Sequence, residues 1–257
     1  MTPVAANPAD LAPAWVTALF VALVAAMWAL VVAGVAAAAR RAGWSGRAAA
    51  ITGGVLAGWL ALTLALAAAG VFSDFAAMPP RFPPILIIAV AAVVVLARSR
   101  AIAPLVAATP PTWLIHAQVF RVAVEFVLWR LVVAGAAPEI MSFTGRNFDI
   151  AVGLTAPVIA YACLTARVWP RAVALWWNVA GIAVLVNTVV HALLSVPTPL
   201  RMIVTEPPNS LVATAPYIWL PALLVPLAWS LHVLSIRQLR AGIGEPGART
   251  TAGRARG

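Results

Sequence analysis

The chain has 257 residues, of which 63% are hydrophobic and 9% are charged, and its formal net charge is +10. Soluble domains carry roughly 45–50% apolar and about 25% charged residues, so a water-soluble fold of this size could not hide so much apolar surface. The composition therefore excludes a soluble globular protein and predicts an integral membrane protein. All 17 basic residues are Arg, and the absence of Lys excludes any mechanism that needs a Schiff-base lysine.

Seven apolar stretches are each long enough to cross about 30 Å of hydrocarbon, which takes about 20 helical residues. They cover residues 14–38, 49–71, 84–103, 113–136, 148–168, 172–195 and 212–235. Proline pairs precede or begin three of them, at Pro83-Pro84, Pro110-Pro111 and Pro207-Pro208, because proline cannot continue a preceding helix. The sequence thus predicts an all-α bundle of seven transmembrane helices within residues 1–240, followed by a basic, disordered tail over residues 241–257.

The charges of the loops predict the orientation of this bundle. Loops one, three and five and the C-terminal tail carry twelve Arg and one Glu, a net charge of +11, whereas the opposite loops carry three Arg and four carboxylates, a net charge of −1. Because Arg-rich loops stay in the cytoplasm, the N-terminus is predicted outside and the C-terminus inside a bacterial-type inner membrane. The tail is expected to meet anionic lipid, and nucleic-acid binding is not predicted because no aromatic residues interleave with its Arg.

Polar side chains concentrate in the fourth stretch, and charged groups at membrane depth usually mark a substrate pathway or a relay. On a helix, Gln118, Arg121 and Glu125 share one face, with Arg121 and Glu125 as an i, i+4 ion pair. Arg130 lies on a second polar stripe of the same helix. These residues predict a substrate-binding site, and the alternative is an ion pair that only locks helix packing.

Two further sets of polar residues are expected to complete this site. Asn187 and His191 lie one turn apart on one face of the sixth stretch and are predicted to line the cavity. The external loops bring both charge signs to one side and are predicted to form a rim over it. The rim residues are Glu139, Arg146, Asn147, Asp149, Arg201 and Glu206.

Catalytic signatures of hydrolases, nucleotide-binding enzymes and zinc enzymes are absent from the sequence, so no enzymatic activity, catalytic residue or metal site is predicted. No cofactor is predicted either. The one arrangement that three His residues allow is a b-type haem between His116 and His232, which would lie at similar depth on antiparallel helices.

The predicted function is binding or transport of a small polar or anionic solute through a polar cavity around the fourth stretch. One alternative is a non-catalytic membrane subunit or sensor whose external loops dock a partner or a second copy of the chain. The other alternative is a haem-bearing redox protein of the membrane. The lipid bilayer is a partner in all three cases.

Overall fold

A computed structural model describes residues 8–243, and this part of the chain is 72% helix with no strands. The predicted all-α class is confirmed. Residues 1–7 and residues 244–257 of the predicted basic tail lie outside the described residues. The described part has ten α-helices: α1 (Pro8–Leu11), α2 (Ala14–Arg41), α3 (Arg47–Ala68), α4 (Pro83–Arg98), α5 (Ala103–Ala108), α6 (Pro111–His116), α7 (Phe120–Val133), α8 (Asp149–Ala160), α9 (Arg171–Ser195) and α10 (Val225–Arg240). It also has 3₁₀ turns at Ala117–Val119, Glu139–Met141 and Leu211–Ala213, and π-helical turns at Tyr161–Thr165 and Leu220–Leu224.

Four helices in the described range are long and apolar enough to cross a membrane: α2, α3, α9 and the run Leu220–Arg240 that includes α10. They lie in the first, second, sixth and seventh predicted stretches. The third and fifth stretches form shorter apolar helices, Pro83–Arg98 and Asp149–Thr165. At 1.5 Å per residue, the 16 residues of α4 reach about 24 Å, less than the thickness of the hydrocarbon layer.

The fourth predicted stretch is a helical rod over residues 111–133 with one change of pitch, because α6 passes through the 3₁₀ turn Ala117–Val119 into α7. The rod lies antiparallel to α2. The Arg130 guanidinium lies 5.4 Å from the ring centre of Trp15 at one end, and the Arg41 guanidinium lies 4.6 Å from that of Trp113 at the other. These two cation–π contacts hold the ends of both elements at matching levels.

Proline accounts for several helix starts and for the irregular seventh helix. Pro83 and Pro111 begin α4 and α6, as the proline pairs predict. Within the seventh helix, Pro226 lacks the N–H that would bond the carbonyl of Ala222 in an α-helix. Trp59 of α3 donates its Nε1–H to that carbonyl at 2.9 Å instead. A side chain from a neighbouring helix thus satisfies a backbone acceptor freed in apolar surroundings.

The bundle places apolar side chains outward and polar ones inward. Ile51, Val55 and Val95 are 61–70% exposed, and the described parts of α2, α3 and α9 carry further exposed apolar residues. The most enclosed of the four long helices is the run Leu220–Arg240, which packs against α4, α6 and α9. This distribution is compatible with a membrane protein, because apolar surface facing hydrocarbon carries no penalty whereas a charged side chain there is costly.

The segment after α7, residues 134–148, returns into the bundle instead of staying outside it and is called the returning segment. Gly135 adopts φ +71°, a conformation that favours glycine, where the chain turns away from α7. The segment then runs inward to Asp149, the first residue of α8, which lies beside Arg121 in the middle of the rod. α8 therefore begins at mid-depth in the bundle. The prediction that Asn147 and Asp149 form an external rim is wrong, since these residues are 2% and 8% exposed.

Candidate functional site

Seven polar side chains meet in the interior of the bundle and form one hydrogen-bonded group, the buried cluster. They come from α7, the end of the returning segment, α8, α9 and α10, and each is at most 9% exposed. The members of the buried cluster are Arg121, Glu125, Asn147, Asp149, Asn178, Thr188 and His232.

Arg121 is the cation of the buried cluster, and its ion partner is Asp149. Its Nη2 donates to Asp149 Oδ1, and its Nη1 donates to His232 Nε2 at 3.1 Å. The predicted Arg121–Glu125 ion pair is wrong. A long helical side chain leans toward the N-terminus of its helix, so Arg121 extends away from Glu125, and Arg placed before Glu is the weaker order for an i, i+4 pair.

Glu125 bonds to the returning segment. Its Oε1 accepts from Asn147 Nδ2, while its Oε2 has no hydrogen-bond partner among the described residues. Asn147 in turn accepts at Oδ1 from the backbone N–H of Asp149 at 3.1 Å and from the Thr188 hydroxyl at 2.9 Å. The Asn147 side chain therefore links the Glu125 carboxyl group to the first turn of α8 and to Thr188 of α9.

The hydrogen-bond directions around His232 follow from the chemistry of Arg. A guanidinium only donates, so His232 Nε2 accepts from Arg121 and the Nδ1–H donates to Asn178 Oδ1 at 2.9 Å. Asn178 then donates to the Ser235 hydroxyl at 3.1 Å. Both ring nitrogens are thus occupied in a single tautomer, and the imidazole is neutral.

This arrangement does not fit the predicted bis-histidine haem. A haem ligand needs one ring nitrogen free for iron. His232 offers none, and its ring faces Gly181 and Trp177 in a packed environment, with 5.4 Å between the His232 and Trp177 ring centres. His116 lies at the surface with Nδ1 bonded to the Thr112 carbonyl at 2.9 Å. The prediction that His116 and His232 bind a haem is therefore wrong.

Four other residues predicted to bind substrate lie outside the buried cluster. Gln118 is buried but donates to the Ala228 carbonyl at 3.0 Å, which joins the rod to α10. Arg130 stacks against aromatic rings at the end of α7. Asn187 donates to the Arg146 carbonyl at 2.9 Å, and His191 bonds to the backbone of its own helix.

The six residues of the predicted rim do not lie together. Asn147 and Asp149 are buried, and the other four lie outside the buried cluster. Glu139, Arg146 and Glu206 are exposed. Arg201 donates to the carbonyls of Ile203 and Thr205 and so closes its own loop. Among the described residues, none of these four charged side chains lines the cavity beside the buried cluster.

Sequence reasoning missed Thr188 and Asn178 as site residues, although a signal for them is present. The buried positions of α9 include Asn178, Gly181, Leu185 and Thr188, which repeat at intervals of three and four residues. That spacing marks the face of a helix that packs on its neighbours. Asn187, one position earlier than Thr188, lies off that face.

A cavity of about 60 Å³ adjoins the buried cluster. Its polar border consists of Arg121, Asn147, Asp149 and Thr188, and its other walls are apolar. The wall residues are Phe82, which precedes α4, and Leu86 of α4; Phe120, Val124 and Leu128 of α7; Met141; Leu185, Val189, Ala192 and Leu193 of α9; and Val212, Leu220, Pro221, Leu224, Val225 and Ala228. The space exceeds what one water molecule needs.

Two polar atoms at this border lack a protein partner in the described part of the chain. The Nε–H of Arg121 donates to no acceptor, although the residue is only 2% exposed. Asp149 accepts its hydrogen bonds at Oδ1 and on the other carboxylate oxygen, Oδ2, receives none. Arg121 and Asp149, which both line the cavity, therefore each keep one atom without a protein partner, a donor on Arg121 and an acceptor on Asp149.

The family of the chain was established by comparison with known proteins. A family model described as a domain of unknown function (DUF8737) matches residues 82–240, more than half of the 257 residues, and the chain belongs to that family. No curated protein and no solved structure matches the chain. The matched range contains the entire buried cluster and all cavity walls, whereas α2 and α3 precede it.

Proposed function

We propose that this chain is a multi-pass protein of a bacterial-type cytoplasmic membrane that binds a small polar solute in the cavity and passes it across the membrane. The observation that carries the proposal is the buried cluster at the cavity border. Charged groups deep in a membrane protein are costly and usually serve a substrate pathway. Apolar walls with a few convergent polar groups are the usual form of a small-molecule site.

We also propose the seven-span arrangement with the N-terminus outside and the C-terminus in the cytoplasm. The rod over residues 111–133 supports a further crossing beside the four long helices, because its cation–π contacts keep its ends level with those of α2. α4 and the helix Asp149–Thr165 are shorter than a full crossing. The returning segment, residues 134–148, supplies the missing half of the fifth crossing, because it covers the level that α8 does not reach.

Single cysteines test this topology. The native Cys163 is 1% exposed and shielded from reagents, whereas Met202 is 77% exposed and Ala241 is also exposed. In intact cells, a membrane-impermeant maleimide should label Met202→Cys and should label Ala241→Cys only after permeabilisation. Neither substitution alters the Arg distribution that sets orientation. Labelling in the reverse order would contradict the proposed orientation.

Solute binding is tested with three probes of similar size and different charge: acetate, acetamide and ethylammonium. At least one probe should raise the melting temperature of the purified protein and enter proteoliposomes faster than protein-free liposomes. Ala228→Val adds two methyl groups at the cavity wall and should remove both effects, because Ala228 is 2% exposed there.

The matched control for that experiment is Ala183→Val, which makes the same chemical change on the exposed face of α9. This variant should behave as the parent protein does. If no probe binds, or if Ala228→Val binds and transports as the parent does, the cavity is not the solute site.

A second candidate function is docking of a partner through the external loops. Met202 and Val204, on the loop after α9, are 77% and 78% exposed, which favours a contact beyond this chain. A cross-linker attached at Met202→Cys should then capture one protein in a fixed ratio from native membranes. Capture of lipid alone would contradict this function.

A further inference from the structure

The charge balance of the buried cluster is uneven. Arg121 is its one cation, whereas Glu125 and Asp149 are both carboxyl groups, and the bonding pattern makes His232 neutral. Thr188 and Asn178, the contributions of α9, carry no charge. Phe82, just before α4, and Leu86 of α4 contribute only apolar side chains to the cavity. With both carboxyl groups ionised, the cluster would hold a net charge of −1 in a membrane interior, where an uncompensated charge is costly.

One further positive charge therefore completes the buried cluster, and either a proton or a bound cation can supply it. An anion would change the net charge of the ionised cluster from −1 to −2, so charge balance disfavours an anion. Asp149 lines the cavity, and its Oδ2, which accepts no hydrogen bond from the described residues, is an acceptor for a cationic N–H. The opposite walls, which include Leu224 and Val189, suit an alkyl group.

We propose that the cavity binds a small alkylammonium ion, with its N–H groups donating to Asp149 Oδ2 and its alkyl part against the apolar walls. The inference rests on the proposed solute-binding function and specifies the class of solute. The cation takes the place of one proton. In the free protein, Glu125 holds that proton, because Asp149 is the ion partner of Arg121. On binding, the Glu125 carboxyl O–H bond breaks and the proton leaves to water, so the total charge of the site is unchanged.

Isothermal titration calorimetry of the detergent-purified chain with ethylammonium chloride, sodium acetate and acetamide tests the proposal. Ethylammonium should bind, and the other two should not. Repeating the titration in buffers of different ionisation enthalpy should show about one proton released per ion bound.

Glu125→Gln is the decisive variant, because Gln keeps the Oε1 acceptor for Asn147 and does not contact the cavity. It leaves Arg121 balanced by Asp149 alone, so a bound cation would be uncompensated. Ethylammonium binding should weaken about tenfold or more, which corresponds to roughly 1.4 kcal/mol, and proton release should disappear. Ala228→Val should also weaken binding, whereas Ala183→Val should not.

The outcomes separate this inference from the solute-binding function. Binding of acetate or acetamide without ethylammonium would overturn the alkylammonium class and leave solute binding intact. Absence of binding by all three probes would overturn both. Ethylammonium binding that Glu125→Gln leaves unchanged, or binding without proton release, would overturn the proton exchange and the charge balance on which the proposal depends.

Discussion

Asp149→Asn is expected to lower the free energy of unfolding by about 3–5 kcal/mol, the usual cost of removing one partner of a buried ion pair. Asp149 is the ion partner of Arg121, which is 2% exposed. Asn is similar in size but carries no charge, so the buried guanidinium would lose its ion partner. Thermal and SDS-induced unfolding of the purified protein measure the effect.

The control is Glu125→Gln, which changes the other carboxyl group of the buried cluster in the same way. Its effect on stability should be below about 1 kcal/mol, because Gln retains the acceptor for Asn147 and Glu125 forms no ion pair with Arg121. Replacing Arg121 and Asp149 together by Met and Leu should restore folding, since a buried ion pair can give way to apolar residues of similar volume. Equal destabilisation by Asp149→Asn and Glu125→Gln would contradict this assignment of partners.

Gly181→Ala is expected to have the second largest effect, a loss of about 3 kcal/mol. A Cβ at this position would overlap the His232 imidazole, so the ring must move. Overpacking costs about 1–3 kcal/mol, and a displaced ring would also leave the buried donors and acceptors of Arg121 and Asn178 without partners. Thermal unfolding of the purified variant measures the loss.

Gly34→Ala is the matched control, because Gly34 lies within α2 and a Cβ there would meet nothing within 4 Å. Ala is the better helix former, so this variant should be as stable as the parent or more stable by up to about 1 kcal/mol. If both variants unfold at the same temperature as the parent, the close contact between α9 and α10 at Gly181 is not present in solution.

Local chemistry made much of the fold predictable. The composition predicted apolar helices long enough to cross a membrane, and four such helices are present in the described range. Pro83 and Pro111 marked the starts of α4 and α6 because proline acts on its own backbone. The helical period also identified Arg121 and Glu125 as residues that could not face lipid, and both are buried. The Arg distribution predicts an orientation from the sequence alone, and the cysteine experiment tests it.

Tertiary structure decided which residues meet. The helical period placed Arg121 and Glu125 on one face, but side-chain direction and the position of Asp149 determined the ion pair. The loop pattern placed Asn147 and Asp149 outside, since polar residues between apolar stretches are usually solvated; the return of residues 134–148 into the bundle buried them. His232 bonds to Asn178 because α9 and α10 pack closely over Gly181. Contacts between distant segments depend on where the whole chain turns and packs, and neither composition nor periodicity contains that information.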